Sequence, residues 1–381
     1  MFSTYLIYFL VLSLSTTSLY FADRANSRLK KAIFVTLSFM IVFVIASIRY
    51  NVGSDYPNYA EIFYSIQGGG SKDIEVGFRY LNLFFSSLGF GFQGFVVFVS
   101  FITYLIFYRS YPKEKSYIYH FVFLCTLYLY TLSNLRSSII YGLSFIAILK
   151  YIDDKKMLNF CLLIFFSMLF HKSSVVYLII PIIFSKPIKE FVNSKYIPEV
   201  VLFFLIAIMF NSSWLRDVIF YNPISEILGF SSYANHEKWG GASNVGSGLR
   251  VFLEVLCPSI FIIFRRYLIS RDERMVYIVI LCFLYVLLVD LALSVKIATR
   301  LKYLFISTNM LIIYYLVLYL SSLRKVFLVY PIMLALALTY FKTIQESDVV
   351  KFGDKEAGIK VSPYVTIFEK HKSPRTEVFI N

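Results

Sequence analysis

The stretch that decides the fold is residues 32–59, AIFVTLSFMIVFVIASIRYNVGSDYPNY. Residues 32–48 carry no charge and have the composition of a membrane span. The run then passes without a spacer into Arg49, Gly53 and Asp55, set among Tyr50, Tyr56 and Tyr59. A helix that exits directly into charged residues holds them near the bilayer boundary, where ionisable groups are costly unless they face a cavity or a partner.

Working outward, apolar runs recur from residue 2 to residue 341. The 381 residues are 58% hydrophobic and 16% charged, with a mean hydropathy of +0.69, whereas soluble domains are about one quarter charged. The chain therefore reads as an all-α polytopic membrane protein. Residues 2–21 have neither a basic leader nor a small-residue cleavage site, so they read as a first span rather than a signal peptide. Twelve stretches are candidate spans: 2–21, 32–48, 92–108, 118–131, 137–150, 158–170, 174–184, 198–211, 251–264, 275–291, 303–320 and 326–341. The expectation is 10–12 spans in a single membrane domain, 1–341, with a polar C-terminal tail over 342–381.

Alternate loops differ in charge. Loops 22–31, 109–117, 150–157, 185–197, 265–274 and 321–325 hold 19 Lys and Arg; the intervening loops hold 11 over a greater total length. The positive-inside rule makes the first set cytoplasmic and puts both termini on the outer face. A hydrocarbon core of about 30 Å needs roughly 20 helical residues, so 118–150 and 158–184 are each too short to cross twice. These helices are expected to be short or re-entrant, with the polar turns at 133–138 and 171–174 enclosed by protein.

Two outer loops are long, 49–91 and 212–250. In the first, Phe78, Leu81, Phe84, Phe85 and Leu88 recur at helical spacing, which predicts a helix lying along the interface. In the second, the glycine-rich residues 240–248 read as a mobile lid. Cys125, Cys161, Cys257 and Cys282 all fall in apolar runs without metal-ligand spacing and read as small buried hydrophobes. The net charge of +14 is spread over short loops rather than one soluble face, so no nucleic-acid partner is expected.

With this orientation, Arg49, Asp55, Glu75, Arg136, His171, Lys296 and Arg300 all fall on one side. Three arginines and a lysine beside a bilayer suit an anionic headgroup, most naturally a phosphate or diphosphate, because the guanidinium fork binds such oxygens in pairs. Asp55 and Glu75 are the available bases, with His171 close behind. Each also has a structural alternative: Arg49 snorkelling, Asp55 capping a turn or pairing with Arg49, His171 closing a helix end. The 31 tyrosines fit interfacial belts, yet Tyr50, Tyr56 and Tyr59 also suit stacking on sugar rings. Gly53 reads as the bend that lets the backbone turn over a headgroup.

RYNVGSDYPNYAEIF (49–63), EVGFRYLN (75–82), LRSSIIYGLSFIAI (135–148), FHKSSVVYL (170–178) and ATRLKYLF (298–305) together resemble the EpsG family of the wider Wzy-type polysaccharide polymerases. The similarity runs from about residue 45 to 310, and its N-terminal half is the specific part. The pattern covers Arg49, Gly53, Asp55, Tyr56, Tyr59, Glu75, Arg136 and His171. The resemblance implies a glycosyltransferase of the bacterial cytoplasmic membrane that joins repeat units of O-antigen, capsule or exopolysaccharide on the outer face. Donor and acceptor would both be linked to polyprenyl diphosphate, and a chain-length regulator is the expected protein partner.

On this reading Asp55, His171 and Arg136 are catalytic, with Asp55 preferred over His171 as base. Arg49, Tyr56, Tyr59, Glu75, Lys296 and Arg300 bind substrate. No metal and no cofactor are expected. The rival readings are a flippase of lipid-linked glycan, a membrane O-acyltransferase and a structural assembly subunit.

Overall fold

Helices form where the apolar runs predict them, and their lengths sort the runs into two classes. The computed structural model describes residues 2–70, 74–210, 214–217, 248–296 and 298–375. Among these residues the chain is helical, with only isolated β-bridges such as Arg49 to Thr366. Among the described residues, six helices are long and apolar enough to cross a membrane, and eight if each of two bent pairs counts as one span. The other four of the twelve stretches form shorter pieces. Residues 116–133 are interrupted by a π-helical turn at Leu124–Tyr128, and Leu249–Ile263 contains Pro258. Met157–Met168 has 12 residues, about 18 Å of helix. It is followed by a 3-10 turn, Lys172–Leu178, and a helix of five residues, Ile179–Ile183. None of the four presents an unbroken helix of spanning length.

The chain divides into two compact units. The first comprises residues 1–151, 156–178 and 336–381. In it α1 (Phe2–Asp23) packs along α2 (Arg28–Ser47), whose first turn is capped by the Ser27 hydroxyl accepting from the Lys30 amide at 3.2 Å. The outer loop folds into two helices, α3 (Tyr56–Gln67), with Pro57 in its first turn, and α4 (Val76–Ser87). Phe78 and Phe85 of α4 are buried, whereas Val76, Tyr80, Phe84 and Leu88 leave an exposed apolar stripe. Both helices rest on α5 (Phe92–Ser110) and the next two helices begin nearby in sequence, α6 (Ser116–Phe123) and α7 (Leu129–Ser133). A buried aromatic floor joins Tyr56, Tyr59, Phe63, Phe78 and Phe95 to Leu135 and Ile139 of α8 (Leu135–Asp154).

A ninth helix, α9 (Met157–Met168), ends at the turn that carries His171. His120 of α6 is a satisfied core histidine, bonded to the Ser15 hydroxyl and the Tyr111 hydroxyl, each at 2.8 Å. At the other end of the chain, residues 359–367 run alongside 48–54. The amides of Tyr50, Gly53 and Ser54 donate to the carbonyls of Val365, Lys360 and Ile359 at 2.8, 2.8 and 3.0 Å, and Ile367 N–H returns to Ile48 O at 2.8 Å.

The second unit comprises residues 152–155 and 179–335. Its helices are α10 (Ile179–Ile183), α11 (Lys186–Asn193), α12 (Ile197–Met209), α13 (Leu249–Ile263), α14 (Arg265–Arg271), α15 (Met275–Ser294), α16 (Ala298–Leu304) and α17 (Ile306–Ser322). The pairs α11–α12 and α16–α17 are bent by 93° and 53°. α15 is the central helix, packed by α11, α12, α13, α16 and α17. Arg265, counted in the sequence among the topology-setting charges, is fully buried. It donates to the carbonyls of Val192 and Ser194 and to Glu199 Oε2, each at 2.9 Å. The loop 212–250 and its glycine-rich stretch lie outside the described residues, apart from 214–217 and 248–250.

Candidate active site

Two close backbone approaches assemble the polar cluster of the first unit. At Gly77 an added Cβ would sit 2.7 Å from Leu169 O, and the Gly77 amide donates to that carbonyl at 2.8 Å. This contact seats the N-terminus of α4, and with it Glu75, against the turn carrying His171 and Lys172. At Gly53, φ is 106° and a Cβ would sit 2.5 Å from Leu132 O, a conformation and a proximity only glycine tolerates. The Ser54 amide then donates to the Ser133 hydroxyl at 3.0 Å, tying the Asp55 loop to the turn that precedes Arg136.

Glu75, Arg136 and His171 meet as a result. Arg136 Nη1 donates to Glu75 Oε2 at 2.6 Å, and the Lys172 amide donates to Glu75 Oε1 at 3.3 Å. Their side chains remain partly open, at 21% for Arg136, 11% for Glu75 and 32% for His171. The guanidinium carbon lies 5.4 Å from the Phe78 ring centre and 5.7 Å from that of Tyr59, so the aromatic floor lies within cation–π range. Burial pushes the Glu75 carboxyl up, but its own backbone amide, Arg136, the Lys172 amide and His171 outweigh it, leaving the carboxyl below its ordinary range. Glu75 is therefore an anchor for Arg136 and a poor base.

His171 Nδ1 accepts from the Ser173 amide at 3.2 Å. A backbone amide can only donate, so Nδ1 holds a lone pair and the proton of the neutral ring sits on Nε2. Nδ1 lies 3.8 Å from Glu75 Oε1, beyond hydrogen-bond length. In this tautomer His171 offers a donor rather than a free acceptor. Asp55, half-buried at the start of α3, has an oxygen that accepts from the Ser54 hydroxyl at 3.4 Å. Burial, with Asp55 adding to it, pushes the Tyr59 hydroxyl up to about 12 against the pull of Arg136, so Tyr59 stays a protonated donor.

Arg49 is placed differently. Its side chain is 1% exposed, and Nη1 donates to the Ala46 carbonyl and, at 3.2 Å, to the Ser100 hydroxyl. It caps the end of its own helix and pairs with no carboxylate among the described residues, Asp55 included. Tyr56 is buried, its hydroxyl donating to Gln93 Oε1 at 2.9 Å. Lys296 and Arg300 belong to the second unit, where both are exposed. There the buried residue is Lys302, whose ammonium meets the buried Glu254 at 2.7 Å, with Arg250 Nε at 3.0 Å from the same carboxylate.

Several positioning residues escape a reading of the sequence. Gln93 binds Tyr56 and donates to the carbonyls of Ser47 and Arg49. A lone amide at the start of an apolar span was its signal, since such a group is costly unless bonded. Arg375 donates to Asn51 O at 3.1 Å and Gly53 O at 2.7 Å, and its Nε pairs with Asp354 at 2.8 Å. No local pattern announces its role at the loop, because the carbonyls of Asn51 and Gly53 lie more than three hundred positions away. A model of the EpsG family matches residues 32–366. No curated protein and no solved structure matches the chain.

Proposed function

The chain belongs to the EpsG family, whose members are Wzy-like polymerases, and on that premise we propose that it joins oligosaccharide repeat units carried on polyprenyl diphosphate. The reaction is placed on the outer face of a bacterial cytoplasmic membrane, with the exposed stripe of α4 resting at the lipid boundary. The observation that carries this reading is the partly open Arg136 guanidinium, oriented by Glu75 over the Tyr59–Phe78 floor and grouped with Asp55 by the Gly53 and Gly77 contacts.

In the proposed step, an acceptor hydroxyl attacks the anomeric carbon of the donor glycan. A new C–O bond forms as the bond to the diphosphate oxygen breaks. The bonding pair leaves with the lipid diphosphate, and the hydroxyl proton passes to Asp55. Charge grows on the departing oxygen during the step. A guanidinium already held in place binds that charge more strongly in the transition state than in the ground state. Tyr59 and His171 Nε2 contribute donors to the same oxygens or to sugar hydroxyls. Arg49 supports the loop from below. No role is assigned to Lys296 or Arg300 in this step.

The test is the intermediate that accumulates when the gene is deleted. Loss of a polymerase leaves single repeat units on the final acceptor, restored to a long ladder by the wild-type chain. Complete absence of glycan on the acceptor would instead identify a flippase.

A further inference from the structure

The second unit contains a cavity of about 740 Å³ in which two lysines converge on one tyrosine. Lys155 Nζ lies 3.6 Å from the ring centre of Tyr277, and Lys189 Nζ lies 4.7 Å from it. The two ammonium groups are thus at most about 8 Å apart, within about one Debye length, so salt screens their repulsion only in part. Neither has a carboxylate partner among the described residues; Lys155 donates instead to the Ile152 carbonyl. The acids of the cavity wall do not relieve the pair. Asp153 is taken by Arg274 at 3.3 Å, which also binds Asp272 at 2.9 Å, and Glu273 is exposed.

We propose that this cavity binds a singly charged phosphate group, seated between Lys155 and Lys189. A ring can attract two cations, but it cannot neutralise them. An anion between the ammonium groups turns their mutual repulsion into two attractions. The wall carries Lys155, Lys189 and Arg274 against Asp153 and Glu273, a net of one positive charge. That balance suits a phosphodiester and disfavours polyanions such as nucleoside triphosphates. Tyr277 is the third residue of α15, so the site lies at the end of a span, at the level of lipid headgroups. Lys155, Lys189 and Arg274 also come from three of the basic loops that read as cytoplasmic. The phosphate is that of an inner-leaflet phospholipid or of a soluble ester, and the chemistry is the same for both.

The purified full-length protein in neutral detergent is melted with phosphatidylglycerol, phosphatidylcholine, inorganic phosphate or chloride at matched ionic strength. Binding raises Tm by about 2–5 °C in the wild type. A shift with phosphatidylglycerol alone assigns the site to a lipid, and a shift with inorganic phosphate assigns it to a soluble source. The Lys155→Gln/Lys189→Gln variant loses the shift, while Lys186→Gln, on the same helix as Lys189 but paired with Glu190, keeps it. If the double variant does not fold, Lys189→Gln alone, losing at least half the shift, decides. No shift in the wild type with any phosphate probe, or an undiminished shift in the cavity variants, overturns the proposal.

Discussion

Arg136 and Glu75, 61 positions apart in the chain, meet at 2.6 Å, and the carboxylate also accepts the Lys172 amide. The arginine is thereby held in one orientation over Tyr59 and Phe78 without being shut from solvent. Replacing Arg136 by Lys keeps the charge but removes the planar fork. Polymer length on a gel should collapse to short chains, with turnover down about 10²-fold, at unchanged protein level. A full ladder from Arg136→Lys would remove this residue from the leaving-group role.

Asp55→Asn should abolish chain extension, because Glu75 is engaged by Arg136 and His171 Nδ1 by Ser173. His171→Gln should cost less, since an amide can still donate where Nε2–H does. The comparison is read from ladders at matched expression. Extension that survives Asp55→Asn moves proton acceptance to another group, His171 first.

The depressed Glu75 carboxyl predicts a pH-dependent contribution to stability. Its folded pKa lies below the unfolded value of about 4.3. The contribution is therefore complete above that value and is lost as pH falls through the folded pKa. Thermal melts of wild type and Glu75→Gln should differ by a few degrees at pH 6–7, and the difference should shrink as pH falls below the unfolded value. Parallel curves across the whole range would contradict the assignment.

Gly77→Ala places a methyl 2.7 Å from Leu169 O and must push α4 away from the His171 turn. The expected cost is about 1–3 kcal/mol in stability, with a larger loss of extension because Glu75 moves with its helix. Gly53→Ala meets both a clash and a positive φ and should be the more damaging of the two. Denaturant melts paired with ladders separate the two losses.

Arg375→Ala should loosen the 51–54 loop and lower extension, while leaving the helices folded. Limited proteolysis between residues 49 and 56 is the direct reading. If Arg375 only adds stability, Arg375→Ala will behave like any equally destabilised variant; if it positions the loop, cleavage there will increase selectively.

Much of this architecture was legible in the residues, for a definite reason. Long apolar runs such as 275–291 and the helical spacing of Phe78 and Phe85 are local signals, and local signals survive in one dimension. The grouping of Asp55, Glu75, Arg136 and His171 could be anticipated only as a shared side. Their contact depends on Gly53 and Gly77, whose close approaches leave no mark beyond the glycine itself. Arg49 looked outward at a span end, yet its guanidinium turns back to the unsatisfied carbonyl of Ala46. Lys302 and Glu254, 48 positions apart, carry no spacing that joins them, so the more visible i, i+4 pair Lys296 and Arg300 drew attention instead. The span count was hardest, because a π-turn, Pro258 and two sharp bends break helices without changing their hydropathy.

The extended pairing of 359–367 with 48–54 has a consequence for biogenesis. The amides of Tyr50 and Gly53 find their partners in residues translated some three hundred positions later, and Ser54, already bonded to Ser133, gains a second one there. During synthesis the loop bearing Asp55 must wait, beside its helix but without the C-terminal segment that frames it. Closing so long a loop comes late in folding. The loop thus gains its framed geometry as one of the last events of assembly, after the chain's C-terminal segment has been made.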